Sequence, residues 1–259
     1  MVVRDRPAQV VLKTAAEIEQ MRVAGRMTAE TLIELKAMIR PGISLKQLDG
    51  FVLQKYQRLG VTPTFLGYQG YEYTICASIN QEIVHGFPSD RVLHEGDIIS
   101  IDHGATVDGW VGDSAFTVGV GVISAEAKRL LAVTEESLTV GIETARVGAR
   151  KGDVSAAIQA VIEEAGYGVV RQYTGHGVGR AMHEPPNVPN FGRAGAGMVL
   201  RQGMVLALEP MATAGNPDTV LLDDGWTVCT ADGKLSAHFE HTIALRENAP
   251  GDILTRVEE

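Results

Sequence analysis

The chain has 259 residues, 45% of them apolar and 21% charged, with a formal net charge of −9. That is enough apolar material for a sizeable core in one domain spanning residues 1–259. The acidic balance, without a run of Lys and Arg, argues against a nucleic-acid-binding surface.

No apolar run approaches the ~20 residues of a membrane span. The N-terminus has no signal-peptide pattern, and Cys76 and Cys229 alone make no secreted disulfide framework. The expected setting is a reducing cytoplasm. Nothing in the sequence calls for an oligomer, so a monomer is the default.

Residues 1–13 read as a partly extended lead-in. Thr14-x-x-Glu17 is a capping box that opens a helix with Ile18, Met21, Val23, Ala24, Met27, Leu32, Leu35 and Ile39 on its apolar positions, ended by Pro41-Gly42. Ser44-x-x-Gln47 starts a second helix, which stops at Gly60. Residues 62–73 form a loop rich in aromatics and glycine. Residues 74–84 suggest a strand interrupted at Asn80-Gln81-Glu82, before His85-Gly86.

Residues 97–117 then give a hairpin. An apolar run ends on Asp102, Asp108-Gly109 supplies turn chemistry, and a second run carries Trp110, Val111, Asp113, Ala115 and Phe116. A two-residue loop pairs Asp102 with Ala115 and Asp113 with Gly104. The two carboxylates then share one face, with alpha carbons roughly 7–8 Å apart. In a sheet interior they repel unless a cation lies between them. Two aspartates in water remain the alternative on this stretch alone.

The second half repeats the order. Ser124 caps a helix running to about residue 146, and another runs from about Asp153 to Gly166. Strands follow at 169–173, in the glycine-rich segment 174–182 and over 198–208. A last hairpin of 226–230 with 235–245 turns at Asp232-Gly233. Residues 201–212 echo 94–105 at a constant offset of 107, matching Gly96 to Gly203, residues 98–101 to 205–208, and Asp102 to Glu209. This predicts an α+β fold with internal pseudo-two-fold symmetry, its halves at approximately 14–120 and 124–245.

His176 sits among Gly175, Gly177 and Gly179, with His183 seven residues on, a setting that favours a site over an ordinary surface histidine. Glu240 lies in an apolar strand between Phe239 and Ile243. Buried there it needs a cation or an arginine; facing solvent it needs neither. Four carboxylates and an imidazole (Asp102, Asp113, Glu209, Glu240 and His176) make a hard, oxygen-rich set. It suits two divalent ions such as Mn, Fe(II), Co or Zn, and hydrolase chemistry.

The order of these motifs resembles the type I methionine aminopeptidases over nearly the whole chain. The resemblance rests on Gly67-Tyr68-Gln69-Gly70-Tyr71, Cys76-Ala77-Ser78-Ile79-Asn80, His85-Gly86, Ile101-Asp102 and Gly112-Asp113. It continues through Gly175-His176-Gly177-Val178-Gly179, His183-Glu184-Pro185, Leu208-Glu209-Pro210-Met211 and Glu240-His241-Thr242. It implies the pita-bread fold, a dinuclear centre and removal of the initiator methionine from nascent chains.

The resemblance also implies roles. Asp102, Asp113, His176, Glu209 and Glu240 match the metal ligands, with Asp113 and Glu240 bridging. A water acidified by two ions attacks the carbonyl after the first methionine, and Glu209 carries its proton to the leaving amine. His183 holds the peptide oxygen, His85 stabilises the tetrahedral stage or the departing amine, and Asp102 with a metal receives the free α-amino group. Phe65, Tyr68, Tyr71, Cys76, Met182 and Trp226 form a narrow slot for the thioether side chain.

Phe65 and Met182 stand where a common bacterial representative has cysteine and phenylalanine, which bears on pocket shape and not on the chemistry. The partners implied are N-terminal methionine peptides, with at most a weak, transient ribosome contact and no direct nucleic-acid function. Two rivals are weighed. A proline-directed aminopeptidase of the same fold usually carries an additional N-terminal domain. A catalytically dead module of this fold has typically lost metal ligands, and here all five positions are filled.

Overall fold

The computed structural model describes residues 10–257; most of the expected lead-in, residues 1–9, lies outside them. Four helices are α1 (Ala15–Met38), α2 (Leu45–Leu59), α3 (Ala125–Thr144) and α4 (Lys151–Glu164). Strands of the first half are β1 (Thr62–Pro63), β2 (Cys76–Ile79), β3 (Glu82–Val84), β4 (Ile98–Val107) and β5 (Trp110–Gly119). The second half contributes β6 (Gly168–Val169), β7 (Gly175–Gly177), β8 (Glu184–Val188), β9 (Val205–Leu208), β10 (Met211–Thr213) and β11 (Thr219–Leu221). It ends with β12 (Val228–Thr230), β13 (Ser236–His238), β14 (Glu240–Ala244) and β15 (Asp252–Ile253).

Both capping boxes form. Thr14 and Glu17 satisfy each other's backbone amides at the start of α1, as do Ser44 and Gln47 at α2. Helix α1 ends at Met38, earlier than the apolar pattern through Ile39 suggested, and Val23 points outward at 55% exposure. Helix α4 starts at Lys151, two residues ahead of the expected point, because Asp153 reaches back to the Arg150 amide.

The strands pair as β1-β4-β5-β14-β9-β7-β8, with β2 also on β4 and β15 also on β14. Two small sheets, β13-β10-β6 and β11-β12-β3, flank this one. The expected last hairpin does not form. β12 pairs with β11 and β3, β13 with β10, and β14 with β5, β9 and β15, so the turn at Asp232-Gly233 passes the chain between sheets. The interrupted strand at 74–84 likewise splits, β2 joining the large sheet and β3 a small one. The strands expected at 169–173 and 198–208 shrink to Gly168–Val169 and Val205–Leu208.

Strands β4 and β5 pair in the expected register, Asp102 with Ala115 and Gly104 with Asp113. Asp108 and Gly109 both have positive φ, 50° and 75°, as a two-residue hairpin turn of the primed type requires. The duplication is visible in the hydrogen bonds that precede β4 and β9. The Gly96 amide donates to the Val120 carbonyl and the Val120 amide to Asp97; Gly203 donates to Leu245 and Leu245 to Met204. Strands β4-β5 and β9-β14 therefore enter one sheet through the same corner.

Strand alternation divides the sheet into two faces. Ile99 and Ile101 of β4 pack with Leu35, Leu48 and Val52 of α1 and α2. Leu206 and Leu208 of β9 pack with Leu138, Ile142 and Ile158 of α3 and α4. Asp102 and Glu209, one step further on, turn to the opposite face. The helices bury one side of the sheet and leave the other concave.

Arginines scattered in sequence also converge. Arg22, Arg26, Arg246 and Arg256 surround one surface cavity, where Glu19 and Asp252 pair with Arg22 and Arg246. A linear count of basic residues gives no sign of this clustering. No described helix is long and apolar enough to cross a membrane.

The backbone of α1 touches the hairpin at Gly112, where a methyl group would lie 2.5 Å from the Gly25 amide nitrogen. The neighbour is helix backbone, so it cannot move aside. Gly112→Ala is expected to cost about 1–3 kcal/mol, lowering the melting temperature by about 3–10 °C. Gly50→Ala, inside α2 with open space around it, is expected to raise it slightly. Calorimetry on both proteins with chelator present checks this, and an unshifted Gly112→Ala transition would refute the close-approach account.

Candidate metal centre

The concave face collects its side chains in two cross-strand rows. The first reads Cys76, Asp102, Ala115, Glu240 across β2, β4, β5 and β14. The second reads His176, Ala207, Thr242 across β7, β9 and β14. Alanine sits between functional residues in both rows, leaving room above the sheet. Thr242 locks Asp113 in place, its hydroxyl accepting from the Asp113 amide at 3.1 Å and donating to the Asp113 carbonyl at 2.7 Å.

Ligand atoms of Asp113, His176 and Glu240 all lie within 4.8 Å of one another. Glu209 follows β9, with Oε1 3.4 Å from His176 Nε2. Asp102 lines the same cavity. Asp102 and Glu209 thus stand around the tight trio rather than inside it.

Four acids buried together disfavour their own ionisation. Burial raises the Asp113 carboxyl to about 7. Asp102, Glu209 and Glu240 are raised well above the usual carboxylate range, first by burial and then by the negative charges of their neighbours. Burial works oppositely on the imidazoles, pushing His176 down to about 3 and His85 to about 4, and lowering His183. The site therefore holds neutral histidines with free electron pairs beside carboxylates whose ionisation a positive partner would favour.

No cationic side chain among the described residues fills that need. Asp102 Oδ1, Asp113 Oδ1 and Glu240 Oε1 are buried without a hydrogen-bond donor. Buried polar atoms are rarely left so, and several together on acids and beside a neutral imidazole fit a divalent cation. The donor set is oxygen-rich, which suits Mn, Fe(II), Co or Zn in an open site better than a closed cysteine-held zinc.

The cavity measures about 160 Å³ and is lined by every residue the sequence singled out. Besides the four acids and the His176 imidazole, these are His85, His183, Phe65, Tyr68, Tyr71, Cys76, Met182 and Trp226. It is smaller than the ~300–1,000 Å³ of pockets for drug-sized ligands and suits a single side chain. Tyr71 is fixed by its hydroxyl, which donates to the Ile75 and Gly86 carbonyls, and its ring lies 5.0 Å from that of Trp226. Tyr68 bonds His183 Nδ1 at 2.8 Å, and the His183 ring centre lies 4.1 Å from that of His176, the two rings tilted 47° apart. His85 takes a left-handed backbone, φ 60°, with Tyr173 edge-on at 5.5 Å.

Sequence reasoning missed Gln69, which also lines the cavity, and Tyr173, Asn190 and His238, which surround it. Asn190 donates to the Glu209 carbonyl at 3.0 Å, and His238 Nε2 lies 4.0 Å from Glu209 Oε2. Tyr173, Asn190 and His238 carry no spacing signal of their own. Only the doubling back of the chain brings Asn190 and His238 to Glu209.

Comparison with known proteins agrees with this geometry. Residues 19–247 match the model of metallopeptidase family M24. The chain is 51% identical to methionine aminopeptidase 1 of Bacillus subtilis over 248 residues, covering 96% of this chain and all of that protein. It is 46% identical to methionine aminopeptidase 1 of Mycobacterium tuberculosis, covering 92% of each. The crystal structure of methionine aminopeptidase from Thermotoga maritima superposes with a TM-score of 0.94 at 45% identity, over 96% of this chain and all of that one. Prolidase from Pyrococcus furiosus, 22% identical, has a TM-score of 0.75 over 96% of this chain and 66% of its own, and shares the fold alone. The chain has the pita-bread fold and belongs to metallopeptidase family M24, among the type I methionine aminopeptidases.

Proposed function

We propose that this protein removes the initiator methionine from nascent chains, with two divalent ions held by Asp102, Asp113, His176, Glu209 and Glu240. Asp113, Glu240 and His176, whose ligand atoms all lie within 4.8 Å of one another, would form the centre of the metal-holding set, with Asp102 and Glu209 around them. The observation that carries this reading is the set of buried, donor-less carboxylate oxygens at one end of an apolar slot. Such ions supply Lewis acidity, lowering the pKa of water in the site and polarising the scissile carbonyl.

The protein's own groups do the rest. Phe65, Tyr68, Tyr71, Cys76, Met182 and Trp226 take the unbranched thioether side chain, whose flexibility suits a narrow slot. Asp102, together with a metal ion, would receive the free α-amino group, which restricts cleavage to chain ends. Glu209 accepts the proton of the attacking water and hands it to the leaving amine. When the Tyr68 hydroxyl donates to His183 Nδ1, the ring carries its proton on Nε2 and offers it to the peptide oxygen as charge develops. His85, held against Tyr173 and Trp226, stabilises the tetrahedral stage or the departing amine.

Cleavage of Met-Ala-Ser with Mn, Fe(II), Co or Zn is the direct test, with Ala-Pro substrates and metal-stripped enzyme as controls. Asp113→Ala is expected to lose at least about 10³-fold in kcat/KM, about 4 kcal/mol of transition-state stabilisation, while its circular dichroism stays near that of the parent. No turnover by the parent protein with any of the four metals would sink the proposal. Retained turnover in the variant would show the site misplaced.

The buried acids also set a stability prediction. A carboxyl whose folded pKa is raised stabilises the fold below its unfolded pKa and loses that contribution as pH climbs toward the folded value. Histidines pushed down act oppositely, adding stability as pH rises to about 6.5, so the acids are isolated between pH 7 and 8.5. There each carboxyl still protonated in the fold costs about 1.4 kcal/mol per pH unit. Metal-free protein is expected to melt at least about 5 °C lower at pH 8.5 than at pH 7, and saturating Mn²⁺ is expected to remove the slope. A flat or rising profile without metal would contradict a site of mutually repelling acids.

A further inference from the structure

His238 is the one imidazole among the described residues with both ring nitrogens buried and unbonded, and the reaction as assigned makes no use of it. Its backbone is pinned. The His238 amide donates to Thr117 Oγ1 at 2.9 Å, the same hydroxyl donates to the His238 carbonyl at 2.7 Å, and Ser100 Oγ lies 2.8 Å from it. Pairing of His238 with Met211 in β13-β10 adds a further restraint. A ring so anchored is aimed by the fold, and leaving its polar atoms bare is costly unless they have a task.

The ring points at Glu209. Nε2 stands 4.0 Å from Glu209 Oε2, while the other carboxylate oxygen, Oε1, stands 3.4 Å from His176 Nε2. The Glu209 carboxylate is thus set between two imidazoles, with its carbonyl held by Asn190 at 3.0 Å. A gap of 4.0 Å is too long for a direct hydrogen bond. A small side-chain rotation or one intervening water closes it, and catalytic contacts of this kind commonly tighten only in the loaded site.

We propose that His238 is a positioning residue for Glu209, its Nε2–H donating to Oε2 so that Oε1 stays turned toward His176 and the reacting water. The inference rests on the reading of Glu209 as ligand and proton carrier. Its alternative is that His238 merely fills space behind the sheet.

His238→Leu keeps bulk without a donor, and His238→Gln supplies an amide donor of comparable reach. The test uses Mn²⁺ binding by calorimetry, steady-state kinetics on Met-Ala-Ser at saturating Mn²⁺, and thermal melting. His238→Leu is expected to weaken Mn²⁺ binding and lower kcat by about 10–100-fold each, with KM within threefold, and His238→Gln to recover both to within threefold of the parent. Parent-like Mn²⁺ affinity and kcat in His238→Leu would overturn the proposal, as would a His238→Gln protein as impaired as His238→Leu. Should the parent protein cleave nothing, the functional reading fails by itself, while the Mn²⁺ affinities of the three proteins still decide what His238 does.

Discussion

Everything in this fold answers to the repulsion among four carboxylates buried on one face of one sheet. Asp102, Asp113, Glu209 and Glu240 cannot all ionise there without a positive partner, and the described residues provide none. In an ordinary core such a cluster would be replaced by apolar side chains of similar volume at little loss or some gain. Its retention only makes sense if a cation completes it. The structural core therefore lies elsewhere, in the apolar layers between sheet and helices, and it holds the acids together against their mutual repulsion.

The duplicated architecture is how a short chain achieves that. Each half brings a strand through the same kind of glycine corner and turns one acid, Asp102 within β4 or Glu209 just past the end of β9, away from the helices. Because β5 and β14 lie side by side, the two halves face one another across the same ground. Asp102, Asp113, His176 and Glu240 are placed by strand register rather than by loop conformation. Register cannot slip by one residue without exchanging the buried isoleucines and leucines for acids. The apolar face thus fixes the polar one.

How much of this is legible in the sequence follows from the same physics. Local signals succeed. The capping boxes at Thr14 and Ser44, the Asp108-Gly109 turn and the pairing of Asp102 with Ala115 depend on neighbours only a few residues apart. The internal repeat alone makes Glu209 a counterpart of Asp102. Long-range pairing is less readable. The run through residues 226–245 looks like one hairpin because its composition is strand-like on both sides of a good turn, yet its strands join separate sheets. Nothing local distinguishes those outcomes. His238 and Asn190 escape notice for the same reason, since they matter through a carboxylate distant in sequence from His238 and through contacts without a motif.

A division of labour emerges between the two kinds of element. Asp102, Asp113, His176 and Glu240 are carried on strands, with Glu209 at the end of one, where backbone pairing restrains each Cα and permits little drift. Phe65, Tyr68, Met182, His183 and Trp226 sit on connecting segments outside the strands. Connecting segments tolerate substitution better than paired strands do. Phe65 and Met182 can therefore reshape the slot without disturbing the acids behind it, because no strand pairing depends on either. A change at either of those two positions leaves untouched the strand pairing that holds Asp102, Asp113, His176 and Glu240.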